Sequence, residues 1–301
     1  QDLIELGTPD DNTTILGSGY LNRAIQSLKD KKAINPSLPA LAIAPTLPKV
    51  FQGGAGALAV SSVSPDITKL RRRDGSQAQV GLTDRIKASW LKPKDGTWLG
   101  SLLFNKAALA VNALAILENI PQEKTNDFKS IADYGNLPQI QHAAKAAVYF
   151  PGTRFIEVDV ASFDTHFNQG PNEGGGLHHL LSRVDKALGA LKADLVKHGV
   201  WTKTTVVIMS EFGRRVAQNG SLGTDHGFGG LMIVTGGGVK GGKVIEQGFD
   251  LRQLQDGGDV RVTTDYRQVI SEVLSTKIGL TTTELASVFP GFTMSGRLGI
   301  Y

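Results

Sequence analysis

The sequence contains no cysteine. That excludes disulfides, thiolate metal sites and a cysteine nucleophile, and it is compatible with any compartment. No apolar run approaches the roughly 20 residues of a membrane-spanning helix, so no membrane span is expected. An excess of one charge is also missing. The 32 basic and 28 acidic residues leave a net charge of +4, too balanced to argue for nucleic acid. The one concentrated basic run, Lys69-Leu70-Arg71-Arg72-Arg73, lacks interleaved aromatics and reads as a solvated loop. There is no internal repeat, low-complexity linker, signal peptide or initiator methionine. The chain opens at Gln1-Asp2-Leu3-Ile4, and the expectation is a processed, truncated or incompletely known protein.

What is present is a globular composition. The 301 residues are 41% apolar and 20% charged, enough for one large α/β domain or two small ones. The lack of a linker favours a single domain over 1–301. Helical spacing predicts helices over Tyr20 to Lys31, Thr83 to about Leu91, Leu99 or so to Ile120, and Leu137 to Tyr149. A longer helix is predicted over Leu177 to Lys197, with Gly199 placed as its C-cap, and another begins at Thr263-Thr264-Asp265. Leu41 to Ala44 is a short apolar run, and Ala57 to Val60 fits a strand or a helix turn. Arg154 to Val160, Thr205 to Met209 and Leu231 to Val234 are strand candidates. Strand–helix alternation implies a largely parallel sheet covered by helices.

Chemistry gathers behind two of these strands. Thr205 to Met209 ends in Ser210-Glu211-Phe212-Gly213-Arg214-Arg215, followed by Gly223-Thr224-Asp225-His226-Gly227. The Arg154 strand runs into Asp164 and His166. Ligands in open α/β sheets bind beyond the carboxyl ends of strands, so neighbouring strands would bring these groups to one edge. Carboxylate and imidazole together suit zinc, manganese or iron, whereas a hard cation such as calcium would accept the carboxylates alone. Arg214 and Arg215 suit an anionic substrate, because a guanidinium binds phosphate or sulfate oxygens in a fork. Strand-end salt bridges, a turn cap at Asp164 and a loop-holding Asp225 account for the same residues without chemistry. His142, His178, His179 and His198 fall on predicted helices or their ends and read as structural or solvated.

Several blocks resemble the family called domain of unknown function 1501. They are Phe163-Asp164-Thr165-His166-Phe167-Asn168-Gln169, Ser210 to Arg215, Asn219-Gly220-Ser221, Gly223 to Gly227, Gly236 to Gly242 and Thr263 to Arg267. That family is placed with the alkaline phosphatases and sulfatases. The resemblance implies a three-layer α/β sandwich, with a mostly parallel central sheet and helices on both faces. It also implies an ancestral site for two divalent metal ions that acts on phosphate or sulfate esters. Carried over by position, Asp164, His166 and His226 are ligands of one metal, and Glu211 falls where the second metal has an aspartate ligand; Arg214, Asn219 and Asp225 are expected to contact a small anionic ester or glycan. Family members are typically exported, often with twin-arginine signals, so a periplasmic or extracellular location is expected. Two departures stand out. Phe212, which cannot ligate, follows Glu211 where the superfamily usually has histidine. The strand bearing the superfamily's nucleophile is not found either, so a missing N-terminal segment or a partner chain is expected to complete the sheet. A catalytically degenerate binding or assembly protein is the alternative these departures leave open.

Overall fold

A computed structural model describes residues 2–7, 17–32, 38–65, 82–90, 98–121, 124 and 126–301. The basic run at 69–73 and parts of the N-terminal turn-rich and prolyl stretches lie outside the described residues. The elements begin with α1 (Asp2–Leu6), α2 (Tyr20–Asp30), β1 (Ala40–Ile43), β2 (Ala57–Val60), α3 (Leu82–Trp90) and α4 (Trp98–Glu118). Next come α5 (Pro138–Tyr149), β3 (Phe155–Glu157), α6 (Gly176–Lys197) and β4 (Thr205–Met209). The chain continues through β5 (Gly213–Gln218), β6 (Thr224–Gly227), β7 (Met232–Gly236), α7 (Tyr266–Val273) and α8 (Thr282–Val288).

Local chemistry explains three of these boundaries. Gly199 adopts φ +70° just past α6, where a left-handed residue ends a helix without a Cβ penalty. The Asp265 side chain accepts the Arg267 amide and starts α7. Thr281 and Glu284 form a reciprocal capping box for α8.

The fold is mixed α/β, with helices around small sheets. β1 lies between β2 and β3, parallel to both, and all four of its residues are buried. Its alternation divides the core. Ala40 and Ala42 join a cluster with Ile25, Phe51, Ile270 and Phe289, while Leu41 and Ile43 join one with Leu117 and Phe150. A third cluster lies between α5 and α6, around Tyr134, Ala144, Ala187, Leu191 and Leu195.

The largely parallel arrangement expected is realised, among the described residues, only over β2-β1-β3. β4 pairs antiparallel with β7, and β5 with β6. Residues 210–231, between β4 and β7, are taken up by the β5–β6 hairpin, and among the described residues they hold no helix of the kind that usually carries a parallel crossover. Among the described residues β3 pairs only with β1, and β4 only with β7, so the two strands are not hydrogen-bonded neighbours. They nevertheless cover the same cores, because Phe155 and Val207 pack on the first cluster while Val158 and Val206 pack on the third.

Candidate metal centre

The site is built where the loop after β3 meets the β5–β6 hairpin. The sequence presents Ser210 to Arg215 as the charged end of a strand and Gly223 to Gly227 as a loop. The chain instead folds back, pairing Gly213 with Gly227 and Arg214 with His226. Cross-strand partners share a face, so the guanidinium and the imidazole point to the same side. Two glycines permit the close approaches this requires. A Cβ on Gly213 would stand 2.2 Å from the Gly229 carbonyl oxygen, and one on Gly223 would stand 2.3 Å from the His166 carbonyl carbon. The loop is stitched to the hairpin by amides: Asn168 to the Ser221 carbonyl, Gln169 to that of Leu222, and Thr224 to that of Thr165.

Three candidate ligands, one carboxylate and two imidazoles, converge as a result. His166 Nε2 lies 3.0 Å and His226 Nε2 2.9 Å from Asp164 Oδ1. One ligand atom from each of Asp164, His166 and His226 lies within 4.8 Å of the others. Ligands bound about 2.0–2.1 Å from a common tetrahedral centre would be roughly 3.3 Å apart, so this donor set and its spacing fit a divalent cation of the zinc type. The second ring nitrogen of His166 strengthens the fit. Nδ1 faces Asp225 Oδ1 at 3.2 Å, the outer-sphere arrangement that sets a ligating imidazole's tautomer and aim. All three ligand side chains are accessible from solvent, Asp164 with 51% of its side chain exposed, so an ion has a route in.

The electrostatics favour ionised carboxylates. Hydrogen bonding to His226 foremost, with His166 and Arg214 adding to it, holds Asp164 below the usual carboxylate range. Asp225 is likewise lowered, first by the Asn219 amide and then by His166.

The remaining expected residues fall as follows. Arg214 Nη2 donates to Asp164 Oδ1 at 2.9 Å and to the Phe163 carbonyl at 3.0 Å, and Nη1 donates to the Thr224 carbonyl. Of a guanidinium's five N–H groups, Nε–H and one on Nη1 remain for an incoming anion. Asn219 uses its whole amide on the protein. Its Nδ2 donates to the His166 carbonyl and to Asp225 Oδ1, and its Oδ1 accepts from the Ser221 and Gly223 amides. It therefore braces the loop and the outer carboxylate. Asp225, expected at a substrate, is engaged with His166 and Asn219. Glu211 is exposed at the start of the hairpin and is not part of the triad. Arg215 turns away to pair with Asp259 at 3.1 Å.

One contributor went unnoticed in the sequence as anything but a gap in the ligand set. The Phe212 ring stacks on His226, with centroids 3.9 Å apart and planes at 20°, and the Arg214 guanidinium lies 4.9 Å from the same ring.

Residues 141–288 match the model of the family described as "Protein of unknown function (DUF1501)". The match supports that family, and it contains the triad, the hairpin and α6. No curated protein and no solved structure matches the chain. Among the described residues no helix is long and apolar enough to cross a membrane.

Proposed function

We propose that the protein is a metal-dependent hydrolase of phosphate or sulfate esters, acting outside the cytoplasm on an alkaline phosphatase-like three-layer fold. The observation that carries this reading is the Asp164–His166–His226 cluster, braced through Asp225 and set beside Arg214. Those three residues would hold a divalent ion, which when bound would polarise an ester oxygen and lower the pKa of water. Arg214 would receive the anionic group through its remaining N–H donors, and its present bonds to Phe163 and Thr224 keep it aimed. Asn219 and Asp225 would keep the His166 ring in one tautomer. The reading is tested with a panel of aryl phosphates and sulfates and several added divalent metals. Turnover abolished by His166→Ala is expected. A full-length protein that hydrolyses none of them with any metal rejects the hydrolase.

A second reading, a metal-holding but non-catalytic binding protein, is favoured by Phe212 and by the position of Glu211 outside the triad. It predicts anion binding without turnover, measurable by calorimetry with inorganic phosphate and sulfate.

A further strand completing the sheet, from a partner chain or another segment, belongs to the same proposal. β4 and the Phe155–Ile156 part of β3 are apolar, yet every residue of both strands is only half-buried, and among the described residues each strand is paired on one side. Rapid hydrogen exchange at the β4 amides facing away from β7 is expected in the chain alone. Uniformly slow exchange across β4 would argue against an added strand.

A further inference from the structure

We infer that Phe212 is a positioning residue of the metal centre, its ring serving as the platform that aims His226 and Arg214 at Asp164. The inference rests on the metal reading above but concerns a residue with no ligating atom.

The geometry supplies the argument. Arg214 is the cross-strand partner of His226, so their side chains share one face of the hairpin, and Phe212, in the bend just before β5, lays its ring against both. The His226 ring lies nearly parallel to the Phe212 ring at 3.9 Å, a stacking contact that removes most rotational freedom about the imidazole's χ2. With that freedom gone, Nε2 is held 2.9 Å from Asp164 Oδ1. The Arg214 guanidinium, 4.9 Å from the same ring, gains a cation–π contact and also reaches Asp164 Oδ1. His226 is exposed, and besides Phe212 its ring meets only the tilted His166 ring, centroids 4.6 Å apart, among the described aromatic contacts. The platform is itself held, because Ser210 Oγ donates to the Phe212 carbonyl at 2.8 Å and Gly213 permits contact with Gly229. An aromatic ring has one further property that matters here. It offers no lone pair to compete for the ion, and it shields one face of the imidazole from water.

The test compares Phe212→Leu, which keeps apolar bulk without a π face, with Phe212→Tyr, which keeps the ring. Two readouts are taken: the ring-current shift of the His226 carbon-bound protons without metal, and zinc affinity by competition with a chromogenic chelator. Phe212→Leu is expected to lose the upfield shift and to weaken zinc binding by about threefold to tenfold, with Phe212→Tyr restoring both. Equal zinc affinity in wild type and Phe212→Leu overturns the positioning role and leaves the metal reading standing. A Phe212→Leu protein as weak as expected, with Phe212→Tyr equally weak, also overturns it, because the ring would then not be what matters. A wild-type chain that keeps the His226 shift but takes up no zinc overturns the metal reading and the role that rests on it.

Discussion

Replacing Asp225 by asparagine separates an aimed imidazole from one that happens to lie near a carboxylate. In the wild type, Asp225 Oδ1 sits 3.2 Å from His166 Nδ1 and accepts the Asn219 amide at 2.8 Å. When an ion lies between Nε2 and Asp164, in place of the proton their present 3.0 Å contact requires, the Asp225 carboxylate keeps the remaining ring proton on Nδ1 and the Nε2 lone pair on the ion. An asparagine keeps the shape but removes the charge, and its amide group can meet the Asn219 amide donor to donor. Losing such an outer partner typically weakens metal binding by about 10-fold to 100-fold. Here the bond is at the long end of its range and the Asp225 side chain is 53% exposed. Water can therefore take over part of the role, and the expected loss lies near the lower end, about tenfold. The assay is zinc competition with a chromogenic chelator at neutral pH, with circular dichroism to confirm an unchanged fold. The reasoning is refuted by an Asp225→Asn protein with wild-type zinc affinity, measured beside a His166→Ala control that has lost binding.

Two further predictions concern the fold that carries the site. Asp194 is 2% exposed and accepts both the Tyr134 hydroxyl, at 2.8 Å, and the Lys129 amide. Asp194→Ala leaves those donors unpaired and should cost about 3 kcal/mol in urea unfolding, whereas a loss below about 0.5 kcal/mol would show that the network is not needed. Burial, with Asp159 beside it, pushes Glu157 from an ordinary 4.5 up to about 8. The folded chain then binds a proton that the unfolded chain releases, so stability falls as pH rises from about 4.5 through 8. Glu157→Gln cannot ionise, and its Tm advantage over wild type should widen across that window; a constant difference contradicts the assignment.

How much of this was legible depended on whether the signal was local. The leucine spacing of α6, the glycine after it and the Asp265 cap are properties of a few adjacent residues, and each marks its element in the structure. Asp164 and His166, and Asp225 and His226, stood out because acid and imidazole were side by side. Neighbouring parallel strands would bring them together, yet among the described residues β3 and β4 do not pair, and it is the β5–β6 hairpin folding back that brings His226 to Asp164. That hairpin was hidden because Gly213–Gln218 and Thr224–Gly227 carry charge and glycine rather than alternating apolar residues. Its pairing depends on close backbone contacts, such as Gly213 against Gly229, which leave no periodic trace. Phe212 shows the same limit. Along the chain it was only a residue unable to ligate, and its contact with His226 exists only once the two strands pair. The Thr281–Glu284 capping box was, by contrast, a readable signal for α8 that went unused.

The most direct test of the central claim is the metal content of the purified chain after zinc loading and removal of excess ion, compared between wild type and the Asp164→Ala plus His226→Ala double variant. The account predicts close to one tightly held zinc per wild-type chain and none in the folded double variant. A folded wild-type chain that retains no zinc, manganese or calcium, or a double variant that retains as much as wild type, would contradict it.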